Sequence, residues 1–178
     1  MSLRSALRAQ TADCHAAVDA LFGSFNLSRT QDYKAFLRAH ARVVPSIEHA
    51  LEEAGIARLL PDWPERGRAQ LISADIRELG DQLPDLLPPP ALRGEAAIWG
   101  AAYVLEGSKL GGAMLARSVP DHLPCRYLTP QSPKAAMRTF MESLDASDPK
   151  DPEAAVLAAR SIFDLFLEAG QLELEAVA

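Results

Sequence analysis

The stretch "AAYVLEGSKLGGAMLARS", residues 101–118, carries apolar residues at helical spacing and yet holds Gly107, Gly111 and Gly112, with Gly100 just upstream. An interior glycine costs a helix about 1 kcal/mol relative to alanine, so these four together forgo roughly 3–4 kcal/mol of propensity. At about 100° per residue, Gly100, Gly107 and Gly111 fall within roughly 40° of one another, with Tyr103 and Met114 flanking the stripe. One helical face is thereby stripped to its backbone, which suits either a flat ligand or the close approach of a second helix. Gly111-Gly112 also has the form of a helix C-cap.

Outward from this segment, clustered prolines divide the chain into stretches of 3.6-residue apolar spacing, and none alternates as a strand does. The pattern predicts an all-α fold of six main helices, over 2–22, 29–54, 64–82, 92–118, 133–145 and 152–175. Local start signals support it: Ser28 with Gln31 fits a capping box, and Ser132-Pro133 and Asp151-Pro152 each fit an N-cap followed by proline. Pro45 is expected to kink the second helix. With 178 residues, the chain fits one domain spanning 1–178.

A hydrophobic fraction of 48% with 24% charged residues is ordinary for a globular protein, and the net charge of −6 argues against binding a phosphate backbone. No apolar run approaches the roughly 20 residues needed to span a bilayer, and "MSLRSALRAQ" lacks the apolar core of a secretion signal. The expectation is a cytoplasmic protein with neither nucleic acid nor membrane as partner. Cys14 and Cys125 are too few for a disulfide scaffold and read as reduced, partly buried thiols.

The first helix buries a stripe of Leu3, Leu7, Cys14, Val18 and Leu21, with His15 at its edge. Arg8 precedes His15 by two turns, about 10.5 Å by ideal rise. A metalloporphyrin held through its iron by the His15 imidazole would place an edge carboxylate within reach of Arg8. The plainer readings are a packed histidine and a solvated arginine. His40 and His49, on either side of Pro45, and His122 have no second ligand at metal-like spacing and read as structural or surface residues. Covalent heme attachment is disfavoured because Thr11 stands where C-x-x-C-H needs cysteine, and no Glu-x-x-His pair supports a di-iron site.

Three segments, "LRAQTADCHAAVD" (7–19), "YKAFLRAHARVVPSIEHAL" (33–51) and "GAAYVLEGSKLGGAMLAR" (100–117), together resemble the heme oxygenase family, in particular its bacterial, biliverdin-producing branch associated with bacteriophytochromes. The T-x-x-x-H-x-x-V-D and Y-V-x-E-G-S-x-L-G-G patterns carry the resemblance in order and spacing, while 120–150 match only loosely. The resemblance implies a helical bundle with heme between a proximal helix bearing the axial ligand, His15, and a kinked glycine-rich distal helix containing Gly107, Gly111 and Gly112. It implies oxidation of heme, which is both cofactor and substrate, with O2 and external reducing equivalents to biliverdin, CO and ferrous iron.

The chain has no flavin or iron–sulfur motif, so a ferredoxin or reductase is the expected electron donor; a bacteriophytochrome is a candidate bilin acceptor. Animal-type members carry aspartate after the first distal glycine, where it organises a proton-delivering water network. Here that position is Ser108, and Ser108, ordered water and backbone carbonyls are the candidate relays. Propionate contacts are expected from Arg8, Tyr103, Arg117 and Arg126, and pocket closure from Phe163 and Phe166. Two other classes remain: a non-catalytic heme- or bilin-binding protein of the same fold, and a helical enzyme for another small molecule.

Overall fold

In the computed structural model the described residues are 2–129 and 134–177, and among them the chain is helical with no strand. The helices are α1 (Leu3–Gln10), α2 (Ala12–Phe22), α3 (Thr30–Ala54), α4 (Ala69–Glu78), α5 (Gly94–Leu115), α6 (Lys134–Ala146) and α7 (Pro152–Val177). The all-α expectation holds, with three differences in the elements.

First, the expected helix 2–22 divides at Thr11, whose φ of −123° and ψ of 9° leave the helical region. The Thr11 hydroxyl donates to the Leu7 carbonyl at 2.7 Å, the local competition that makes threonine a poor interior helix residue. The ideal-helix separation of Arg8 and His15 therefore does not carry over.

Second, α4 begins at Ala69 rather than 64; Trp63–Glu65 forms only a 3-10 turn. The cap that starts α4 comes from α3, where the buried Glu48 carboxylate accepts from the Arg68 amide at 2.6 Å and the Ala69 amide at 3.1 Å. Burial pushes the Glu48 carboxyl pKa up, against the pull of these two donors.

Third, the capping box at Ser28 does not form. Arg29 is the N-cap of α3, and the Ser28 hydroxyl donates to Asn26 Oδ1 at 2.7 Å. The helix then runs on through Pro45 and ends at Gly55, whose left-handed φ of 88° turns its N–H back to the Leu51 and Glu52 carbonyls. At α7 the expected start is found, with Asp151 Oδ1 accepting from the Ala154 amide at 3.1 Å. The Ser132-Pro133 start lies outside the described residues. α5 continues to Leu115, so Gly111-Gly112 is not its end.

The core is built on α3, with Tyr33, Phe36, Leu37, Val43, Ile47 and Leu51 fully buried, and on α7, with Ile162, Phe163 and Phe166. α5 meets α7 through its alanines and Gly100. A Cβ at Gly100 would stand 2.0 Å from the Ala155 carbonyl oxygen, so the two backbones touch. The α1–α2 stripe packs inward as the spacing predicts: Leu3, Leu7 and Cys14 are buried, and Val18 and Leu21 lie against the core.

His40 is a core histidine, its ring centroid 4.2 Å from Phe36, 4.6 Å from Phe22, 5.5 Å from Tyr127 and 5.6 Å from Phe166. Its Nδ1 lies 2.8 Å from the Phe36 carbonyl, which can only accept, so Nδ1 carries the proton. Burial, helped by the nearby Arg68 charge, pulls its pKa down to about 4. His49 and His122 are on the surface.

Two predictions follow from this packing. Gly100→Ala forces the α5 and α7 backbones apart and should cost the heme-free protein about 3 kcal/mol in urea unfolding, whereas Gly107→Ala should be neutral or stabilise by up to about 1 kcal/mol. For His40, the folded pKa lies below the unfolded value of about 6.5, so the unfolded chain binds the extra proton between the two. Stability should fall by up to about 3 kcal/mol as pH drops from 6.5 through 4, and His40→Phe should flatten that part of the profile.

Candidate functional site

His15 projects from the outer face of α2 with its side chain 65% exposed, unlike the packed His40. Its Nδ1 is 3.0 Å from Asp19 Oδ2, one turn further along. A carboxylate can only accept, so the pair keeps the proton on Nδ1 and leaves the Nε2 lone pair available as a ligand. The ring edge meets Phe163 of α7, centroids 6.1 Å apart at 71°.

The glycines of α5 fall into two groups. At Gly107 and Gly111 an added Cβ would meet nothing within 4 Å, and the exposed Leu110 and Met114 flank them, making an open, apolar and partly side-chain-free surface. Gly112 is buried, with Leu128 Cδ2 3.4 Å from where its Cβ would stand, and Gly100 packs on α7. The stripe is thus divided: Gly100 serves the close approach of a second helix, while Gly107 and Gly111 face open space.

The rest of α5 at this level is anchored from the segment before α4. Arg66 Nη1 donates to Glu106 Oε2 at 2.8 Å, its Nε to Asp62 Oδ1 at 2.9 Å and its Nη2 to the Ala136 carbonyl of α6 at 3.0 Å. Lys109 Nζ reaches Glu106 Oε1 at 2.6 Å and the Arg66 carbonyl at 2.9 Å; burial lowers the Lys109 pKa and Glu106 opposes that shift. Arg68 donates to Ser108 Oγ and to the Leu105 carbonyl, and its guanidinium lies 4.7 Å over the Tyr127 ring. Ser108 in turn donates its one proton to the Leu105 carbonyl at 2.7 Å. Arg66, Arg68 and Glu106 were not legible as site residues, because the contacts that join α5 to the segment before α4 span 37 to 43 positions of the chain.

Among the residues expected at the ligand edge, Tyr103 is half-buried on α5 and feels the charge of Arg8. Burial raises the Tyr103 hydroxyl pKa, while the Arg8 charge and a hydrogen bond with the Thr11 side chain act against it. From that meeting of Thr11 and Tyr103, His15 lies one turn on along α2 and Gly107 one turn on along α5. Arg117 is exposed in the 3-10 turn Ala116–Ser118 that follows α5. Arg126 is directed elsewhere: its guanidinium binds Asp75 Oδ1 at 3.0 Å and Glu78 Oε2 at 2.6 Å on α4. Phe166 is buried against His40, so the ring that meets His15 is Phe163.

An outward imidazole nitrogen and a bare apolar helix surface are each of a kind that fits a flat macrocycle bringing its own iron. Among the described residues, no helix is long and apolar enough to cross a membrane.

No protein-family model matches the chain. It is 37% identical over 92 residues to a heme oxygenase of Xanthomonas campestris pv. campestris, a match covering 52% of this chain and 55% of that protein, so it spans about half of that relative's length. It is 28% identical over 186 aligned positions to heme oxygenase PigA of Pseudomonas aeruginosa, covering 96% of this chain and 93% of PigA. In fold it is similar to the heme oxygenase of Neisseria meningitidis, solved with NO and CO bound, at a TM-score of 0.85 and 21% identity over 98% of this chain and 93% of that one. The heme oxygenase of Leptospira interrogans follows at a TM-score of 0.76 and 19% identity, over 97% and 100%. The chain is thus similar in sequence to heme oxygenases, to PigA along nearly its whole length, and shares the helical fold of solved heme oxygenases.

Proposed function

We propose that the protein is a heme oxygenase that opens heme to biliverdin with release of CO and ferrous iron. The observation that carries this reading is the exposed His15, its Nδ1 proton held by Asp19, in a chain whose α5 leaves open, Cβ-free surface at Gly107 and Gly111. Bound heme is the substrate and also supplies the iron at which O2 and electrons react.

The chain's own residues bind, orient and exclude. His15 Nε2 would hold the heme iron, and Asp19 fixes the tautomer of the ring. Gly107 and Gly111 let the α5 backbone approach the macrocycle closely, while Leu110 and Met114 keep water from its face. Arg8 and Tyr103 hold a propionate edge and so set the rotation of the ring in its plane. Ser108 has its proton committed to the Leu105 carbonyl and its oxygen to Arg68, so the proton supply is assigned to water rather than to this hydroxyl. Electrons come from a ferredoxin or reductase in the cytoplasm, and biliverdin passes to an acceptor such as a bacteriophytochrome.

The test is a hemin titration followed by ascorbate in air. Wild type should give a stoichiometric Soret band that decays as biliverdin absorption grows, and His15→Ala should alter the band and abolish turnover. A His15-dependent band that persists under ascorbate would make the protein a heme carrier, and absence of specific hemin binding would refute the reading altogether. Arg8→Ala combined with Tyr103→Phe should weaken hemin binding by about 1–3 kcal/mol, roughly 5- to 150-fold, read from the same titration. Ser108→Ala should retain most of the turnover rate.

A further inference from the structure

α2 starts directly after the break at Thr11 and has no side-chain cap of its own. The broken end is closed from α7. Arg160 Nη1 donates to the Gln10 carbonyl at 2.8 Å and to Asp13 Oδ1 at 2.8 Å, and its Nη2 donates to Asp13 Oδ2 at 2.8 Å. One planar guanidinium thus spans the break, with a backbone acceptor before it and a carboxylate after it. The Arg160 bond holds the Asp13 carboxyl pKa down at about 2.

Three residues on, on the same side of α7, Phe163 sets its edge against His15. At the far end of α2, Gly170 admits the other side chains: a Cβ there would stand 2.6 Å from Leu21 Cδ2 and 3.0 Å from Phe22 Cζ. α2 therefore runs alongside α7 in the same direction, with 13 at 160, 15 at 163 and 21–22 at 170.

The ion pair is too exposed, 40% for Arg160 and 66% for Asp13, to matter much to global stability. Its place in the structure has another explanation. We infer that Arg160 is a positioning residue for His15: by bridging the Gln10 carbonyl and the Asp13 carboxylate it fixes the break before α2 and hence the direction in which the imidazole points. The role rests on His15 being the axial ligand of heme. A lysine at 160 keeps the charge but lacks the fork that makes three contacts at once.

The experiment has a heme-free and a heme-bound arm on wild type, Arg160→Ala, Arg160→Lys and His15→Ala. In the heme-free protein the amide of His15, which makes the opening bond of α2 to the Thr11 carbonyl at 2.9 Å, should exchange about tenfold faster in both Arg160 variants, while core amides of α3 and the melting temperature stay near wild type. In the ferrous hemin complex, the iron–histidine stretching band in resonance Raman should shift or broaden in both variants.

Unchanged His15 amide exchange in Arg160→Ala overturns the clamp. Faster exchange with an unaltered band overturns the positioning role, and wild-type behaviour of Arg160→Lys overturns the bridging geometry. If His15→Ala leaves the hemin spectrum unaltered, the axial reading fails, and the exchange arm still reports on the clamp by itself.

Discussion

The backbones of α5 and α7 touch at Gly100 and Ala155, and the rest of the site depends on that contact. With no room for a Cβ between them, the two helices are fixed at this point more rigidly than interdigitating side chains would fix them. α7 then carries α2 along its length through Arg160, Phe163 and Gly170. The histidine and the glycine-rich surface never need to pack on each other; each is referred to a common third element.

The second constraint is electrostatic. Glycines at 107 and 111 weaken α5 where it borders open space, and the helix is held there by buried groups on its other sides, Glu106 between Arg66 and Lys109, and Ser108 under Arg68. Breaking one partner of such a buried set leaves a charge uncompensated, so the cluster is more a device for holding α5 in one place than a source of net stability. Arg66 extends the same network to α6 through the Ala136 carbonyl.

Much of this was legible in the sequence because it follows from local rules. The helical period, the start at Asp151-Pro152, the inward stripe of Leu3, Leu7 and Cys14 and the unusual density of glycines all act within a few residues. What was not legible depends on partners distant in the chain. Glu48 moves the start of α4 from 64 to 69, because a carboxylate from α3 does the work of a local cap. Thr11 breaks the first helix although its neighbours favour one, since its hydroxyl finds the Leu7 carbonyl. Arg126 looked available beside the distal helix and is bound to Asp75 and Glu78. The equivalence of Gly107 and Gly112 on paper dissolved once Leu128 was seen to lie against only one of them.

The reliance of both walls on α7 also orders events during synthesis. α2 and α5 leave the ribosome before the helix that aligns them, so the nascent chain passes through a stage in which His15 and the glycines exist but have no fixed relation. At that stage the imidazole is solvent-exposed and the glycine-bearing helix lacks the partner that it packs on at Gly100. A site that needs both walls is therefore complete only once α7 has docked.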